Sequence, residues 1–218
     1  SAKGEQQMWH SRTQIGGIAF LIWSCLAAAS SAQTPVQKMY WIEGSQIKRA
    51  GINGENPETI IEQTLYTPTD IAVDTAAGKM YWISAYNELF SSNLDGSNTV
   101  AIIEGSHQIT GFALDLSQGR IYWADSYSSI SSSIHRAFLN GTGEETIAGT
   151  TESDFITDIA LDTATGTLYW GARNSQGNGY HISKISPSET TATVLLANIQ
   201  APGKISLDAN QNKLYFST

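Results

Sequence analysis

Short apolar runs separated by turn-forming residues fill the chain from about residue 36 onward, with the spacing of strands. Asp70-Ile-Ala-Val-Asp74, Gly111-Phe-Ala-Leu-Asp115, Asp158-Ile-Ala-Leu-Asp162 and Lys204-Ile-Ser-Leu-Asp208 are four versions of one five-residue pattern. After a turn such as Thr75-Ala-Ala-Gly78, each is followed by a second run centred on Tyr81-Trp82, Tyr122-Trp123, Tyr169-Trp170 or Tyr215-Phe216. Tyr40-Trp41 is a further copy at the front, with no aspartate-bearing run before it. Each aspartate stands seven residues before its tyrosine, and the tyrosines recur at intervals of 41, 41, 47 and 46. A period of about 40–45 residues is the span of one four-stranded propeller blade. The runs are mostly apolar rather than cleanly alternating, as strands covered on both faces read.

Third and fourth strands follow in each unit, joined by Asn53-Gly54, Asp95-Gly96 and Asn140-Gly141, pairs that favour hairpin turns because their backbone needs positive φ. The pattern predicts an all-β chain, a β-propeller with three whole blades and two partial ones. The first lacks its inner strand and the fifth its outer two. Long units with hairpin turns argue against a solenoid, and the constant offset from aspartate to tyrosine argues against a sandwich. Tyr40, Trp41, Tyr81, Trp82, Tyr122, Trp123, Tyr169, Trp170 and Tyr215 are expected to fill the wedges between blades. Asp74, Asp115, Asp162 and Asp208 are expected to cap the turns that follow them.

These residues carry a resemblance. The block Ile71-Ala-Val-Asp-Thr-Ala-Ala-Gly-Lys-Met-Tyr-Trp82, continuing to Asn93-Leu-Asp-Gly-Ser97, resembles the YWTD repeat, also called the low-density-lipoprotein-receptor class B repeat. Tyr122-Trp123-Ala124-Asp125 is nearest to the full tetrapeptide; Ile83-Ser84, Gly171-Ala172 and Ser217-Thr218 end other copies without the aspartate. The resemblance covers residues 36–218 and implies a propeller of six blades when complete. Closure at six would take roughly 75–85 further residues, so the chain reads as the N-terminal portion of a truncated product.

The first 32 residues break the pattern. Residues 1–7 read as upstream translation or a cloning remnant. Residues 8–32 read as a secretory leader: Arg12, an apolar run from Ile15 to Ala29, then small residues before a cut between Ala32 and Gln33. Residues 33–218 are then the mature propeller, with no membrane span, expected in the extracellular space or periplasm. Cys25 is the only cysteine and lies in the leader, so the mature chain has no disulfide and no thiol chemistry. The leader takes Lys3, Arg12 and Glu5 with it, leaving 10 basic and 19 acidic residues, a net charge of −9. Such a field repels phosphate backbones, which excludes nucleic acid as a partner.

Candidate chemistry lies where the units differ. Four residues before the capping aspartates stand Asp70, Gly111, Asp158 and Lys204, at the start of the inner strand near the mouth of a central channel. Asp70 and Asp158 are candidates to bind a ligand hydroxyl or a cation such as calcium, although hard cations want several oxygens and only two carboxylates are in sight. Connections between second and third strands lengthen in the later units, at residues 126–131 and 173–180, on the same edge as the loops carrying Tyr66 and His107. Variable loops of this kind concentrate binding residues. Tyr66, His107, Tyr127, Arg173 and Tyr180 are therefore candidate ligand contacts. His107, His135 and His181 are expected to be scattered surface residues. No catalytic motif is present. Asn140-Gly-Thr142 matches a glycosylation acceptor, overlaps a turn and matters only in a eukaryotic host.

Together these features predict a secreted, non-catalytic binding module for protein or glycan ligands on its variable-loop face. The alternative is a propeller enzyme of lactonase or sugar-hydrolase type with a metal at the channel. A third reading is a structural spacer within a larger surface protein.

Overall fold

The computed structural model describes residues 19–22, 37–62, 66–85, 87–105, 107–128, 131–149, 154–174, 179–209 and 211–218. Cys25 and the expected cut between Ala32 and Gln33 lie outside them. Among the described residues there is no helix, and so none long and apolar enough to cross a membrane.

Four antiparallel sheets of four strands follow one another, each a simple meander. The first holds β1 (Ala19–Ile22), β2 (Lys38–Glu43), β3 (Gln46–Gly51) and β4 (Glu58–Ile61). The second holds β5 (Pro68–Asp74), β6 (Lys79–Ser84), β7 (Glu88–Asn93) and β8 (Val100–Glu104). The third holds β9 (Gln108–Asp115), β10 (Arg120–Ser128), β11 (Ser131–Phe138) and β12 (Glu145–Gly149). The fourth holds β13 (Phe155–Asp162), β14 (Thr167–Arg173), β15 (Tyr180–Ile185) and β16 (Thr193–Ile199), and β17 (Ile205–Asp208) with β18 (Lys213–Phe216) makes a two-stranded fifth. First strands lie side by side, β5 against β9, β9 against β13 and β13 against β17. The sheets therefore radiate from a shared axis as propeller blades do.

One strand differs from expectation. The first sheet is not short of its inner strand, because β1 pairs antiparallel with β2, Ala19 opposite Ile42 and Ile22 opposite Met39. Residues 19–22, within the apolar run read as leader core, meet the open backbone edge of β2 and satisfy its hydrogen-bonding groups. Among the described residues the first sheet thus has four strands, as the second, third and fourth do.

The Tyr-Trp pair works through the two-residue period of a strand, which sends neighbours to opposite faces. Tyr40 enters a buried cluster with Ile71, Met80 and Trp82 of the following sheet. Tyr81 meets Phe112, Ile121 and Trp123 in the next wedge, and Tyr122 meets Ile159, Leu168 and Trp170 in the one after. Each of these three wedges takes the tyrosine of the sheet before and the tryptophan of the sheet after, whereas Tyr215, expected to fill a wedge, is 52% exposed on the two-stranded fifth sheet. Arg49 adds a polar clasp, its Nε 2.6 Å from Glu58 Oε1 and its Nη1 donating to Leu94 O of the next sheet at 2.9 Å.

The repeated aspartates accept backbone hydrogen bonds within the turn that follows each of them. Asp74 Oδ1 receives Ala77 N–H at 2.9 Å, Asp115 Oδ1 receives Gln118 N–H at 3.0 Å, Asp162 Oδ1 receives Ala164 N–H at 3.0 Å, and Asp208 Oδ1 receives Gln211 N–H at 3.1 Å.

Candidate functional site

The edge at which first strands begin and second strands end carries every candidate ligand contact, and the structure sorts them into three groups. The first lies on the axis. Asp70 and Asp158 are buried, 2% and 0% exposed, each in the first strand of its sheet. Lys204, just ahead of β17, places its ammonium between them, 2.9 Å from Asp70 Oδ2 and 3.2 Å from Asp158 Oδ1. Asp158 Oδ2 also receives the Ile205 backbone N–H at 2.8 Å, and Asp70 Oδ1 receives Ile71 N–H at 3.0 Å. Gly111, in β9, makes the room: a Cβ there would stand 2.3 Å from Asp158 Oδ1.

This donor set does not fit a calcium ion. Two carboxylates fall short of the six to eight oxygens the ion takes, and a cationic ammonium already bridges them. Among the described residues no group of three or more His, Cys, Asp or Glu side chains is placed to hold a metal. The cluster is an ion pair joining the second, fourth and fifth sheets. Lys204 is the member that sequence reasoning left off the site, and its signal was there: it occupies the same offset in its repeat as the two acids.

A second group surrounds Asp125, the last residue of the Tyr-Trp-Ala-Asp copy. Its Oδ2 lies 3.2 Å from His107 Nδ1 and its Oδ1 3.3 Å from His135 Nε2. His135 stacks on Trp123, ring centroids 5.4 Å apart, while Thr146 Oγ1 and Glu144 Oε1 lie 3.3 and 3.4 Å from its Nδ1. His107 meets Tyr127 edge-on at 4.5 Å. The histidines are therefore not scattered surface residues. His107 and His135 are partly buried partners of one carboxylate, and His181 lies 3.4 Å from Asp154. The reason is register: β10 and β11 set Trp123 opposite His135, and Asp125 two residues on shares their face.

Burial pushes the Asp125 carboxyl up, but hydrogen bonds and charge from His135 and His107 outweigh it and hold the group below its ordinary value. A carboxyl lowered on folding stabilises the fold above its unfolded pKa of about 3.9 and loses that stabilisation as pH falls through the folded value. Asp125→Asn is thus expected to cost about 1–3 kcal/mol near neutral pH. In urea melts from pH 7 to 2, the parent and variant stabilities should converge only below about pH 4. At Asp154 burial pushes the carboxyl up and His181 pulls it partly back.

The third group is a row at the fourth sheet. Arg173 closes β14 opposite both Phe155 and Tyr180, with its guanidinium 5.9 Å from the Phe155 ring centroid. Tyr66 is half-buried just before β5. Tyr127, 70% exposed, is the most exposed of these aromatic side chains.

With this geometry in place, comparison with known proteins adds what the chain is similar to. Residues 37–75 match the model of the family described as low-density lipoprotein receptor repeat class B. That stretch, with Tyr40-Trp41 inside it, is similar to the class B repeat. Protein cueball of Drosophila virilis is 31% identical over 76 residues, a stretch that covers 31% of this chain and 12% of that protein. The chain therefore spans about an eighth of that relative's length. The crystal structure of a nidogen/laminin complex matches 84% of this chain and 68% of its own with a TM-score of 0.72 at 21% identity. The GH74 enzyme of Niastella koreensis matches 72% of this chain and 28% of its own with a TM-score of 0.59 at 16% identity. Likeness at these identities establishes the fold, a β-propeller, and not an activity.

Proposed function

We propose that this YWTD propeller is a secreted binding module whose loop-bearing edge holds a protein ligand. The observation that carries this reading is Tyr127, an exposed ring held edge-on by His107, which is itself fixed through Asp125 and His135. Rigid aromatic side chains backed by a polar network supply contact area at low entropic cost, which is the character of interface hot spots. The repeat, the cueball relative and the nidogen/laminin neighbour support an extracellular setting and a protein partner. The acidic charge of the mature chain favours a ligand with a basic contact surface. The Lys204 ammonium standing between the channel acids favours the binding module over a propeller enzyme with a metal at that point.

Laminin, the partner in the neighbour structure, is the first ligand to try, beside a panel of glycans. Tyr127→Ala with Arg173→Ala should weaken capture by the full chain at least about tenfold, whereas Asp95→Asn at the opposite edge should leave it unchanged. Capture that survives the first pair overturns the assignment of the face. Glycan capture lost in the same pair would replace the protein ligand with a sugar. Hydrolysis of lactone or glycoside substrates, abolished by Asp70→Ala or Asp158→Ala, would establish the enzyme in place of the binding module.

A further inference from the structure

The turns joining third and fourth strands lie on the edge away from the loops, and three of them share one build. Gly51, Asn93 and Phe138 each donate their N–H to the carbonyl four residues on, at 2.9 Å in all three, and each accepts the N–H of Gly54, Gly96 or Gly141 at 2.8, 2.9 and 2.8 Å. The three glycines have φ of 83°, 83° and 84°. Their sequences differ: Gly51-Ile-Asn-Gly-Glu55, Asn93-Leu-Asp-Gly-Ser97 and Phe138-Leu-Asn-Gly-Thr142.

The second and third also share a side-chain closure. Asp95 Oδ1 receives the Ser97 N–H at 3.0 Å and its hydroxyl at 2.6 Å. Asn140 Oδ1 receives the Thr142 N–H at 3.0 Å and its hydroxyl at 2.7 Å. The turn is thus equally well closed by a carboxylate, and its geometry does not call for an amide at 140. What Asn140 adds is its Nδ2, which makes no hydrogen bond to the described residues, on an exposed side chain. Asn140-Gly-Thr142 is the one Asn-x-Ser/Thr triplet in the sequence. Phe138, two residues earlier, is an aromatic ring left 46% exposed with the Arg120 guanidinium 3.8 Å from its centroid. An exposed ring beside the acceptor offers a hydrophobic surface to the apolar face of a sugar. Only the third turn combines ring, amide and hydroxyl.

We propose that Asn140 is an N-glycosylation site whose first sugar lies over Phe138. The donor is an oligosaccharide on a lipid diphosphate. Nδ2 of Asn140 gives up one proton to a base of the transferase and bonds to the anomeric carbon, while the bond from that carbon to the diphosphate oxygen breaks and the lipid diphosphate leaves. Glycan at this edge leaves the loops at the other edge open, so both can serve one molecule. The proposal rests on the secretory reading of residues 8–32.

The full chain is expressed in insect cells, and two properties are read on the same sample: protection from added protease inside microsomes, and mobility before and after a peptide-N-glycosidase. The expected result is a protected chain that shifts on enzyme treatment, with Asn140→Asp running at the deglycosylated position. Asn140→Asp keeps the closure that Asp95 displays, so it should fold. Phe138→Ala should lower occupancy severalfold, and the glycosylated parent should melt about 2–4 °C above its enzyme-treated form. A protected chain without a shift overturns the site while the secretory reading stands. An unprotected chain sinks the secretory reading, and the same chain behind an added cleavable leader then decides the site by the same shift. An increment in melting temperature that persists in Phe138→Ala overturns the placement of the sugar on the ring.

Discussion

Lys204→Met should be among the most damaging single changes in the chain, costing about 3–5 kcal/mol of unfolding free energy. The replacement keeps most of the side-chain length but withdraws the ammonium from Asp70 and Asp158, which are almost wholly buried. Charges cannot be left in a low-dielectric site without a large penalty, and neither carboxylate can turn to water without unpacking its strand. The Lys204 side chain is 30% exposed and would lose less by the converse change. If charge is the cause, Asp70→Asn and Asp158→Asn added to Lys204→Met should recover most of the loss. Urea melts of the parent, Lys204→Met and the triple variant at two salt concentrations make the measurement, and the loss should barely change with salt because a buried pair is weakly screened. A loss under about 0.5 kcal/mol would mean that the axial cluster is solvated.

The same cluster shows why some of the molecule could be read from sequence and some could not. The Tyr-Trp pair and the capping aspartates are local devices. Tyr40, Tyr81 and Tyr122 face the following sheet because adjacent strand residues alternate, and Asp74 reaches the Ala77 N–H across three positions. Their repetition in register was enough to specify blades. Lys204 meets Asp70 over 134 positions and Asp158 over 46, so the contact exists only once the sheets have been brought round an axis. The sequence supplied the residue types and the offset, and the two acids suggested a cation. It could not show that the cation is a lysine of the chain itself. The place of His135 is not legible in the sequence for a similar reason. Read alone it is a polar residue in a half-exposed strand, and only the pairing of β10 with β11 brings it to Trp123 and Asp125. The β1 strand is a third case, an apolar run whose composition suits both a leader and a strand, and whose pairing with β2 comes from the open edge it meets.

The hairpin glycines allow the contact between blades to be separated from the strain of a turn. Ala at Gly141 would carry a φ of 84° and set its Cβ 1.9 Å from Ile102 O, on the outer strand of the preceding sheet. Ala at Gly96 would stand 2.2 Å from Ile60 O in the same relation. Ala at Gly54 carries the same φ, but its nearest contact is Met39 Cε at 4.0 Å. Left-handed backbone costs a residue with a Cβ roughly 1–2 kcal/mol, a term common to all three. Overlap with a backbone carbonyl adds about 1–3 kcal/mol, because the hairpin must lift from its neighbour. Gly54→Ala is therefore expected to lose about 1–2 kcal/mol, and Gly96→Ala and Gly141→Ala about 2–5 kcal/mol. Hydrogen exchange should separate them further. The two costly variants should expose the amides of β4 and β8 respectively, and Gly54→Ala should expose neither. Equal losses at all three positions would mean that turn strain alone decides, and that the glycines do not seat one blade on the next.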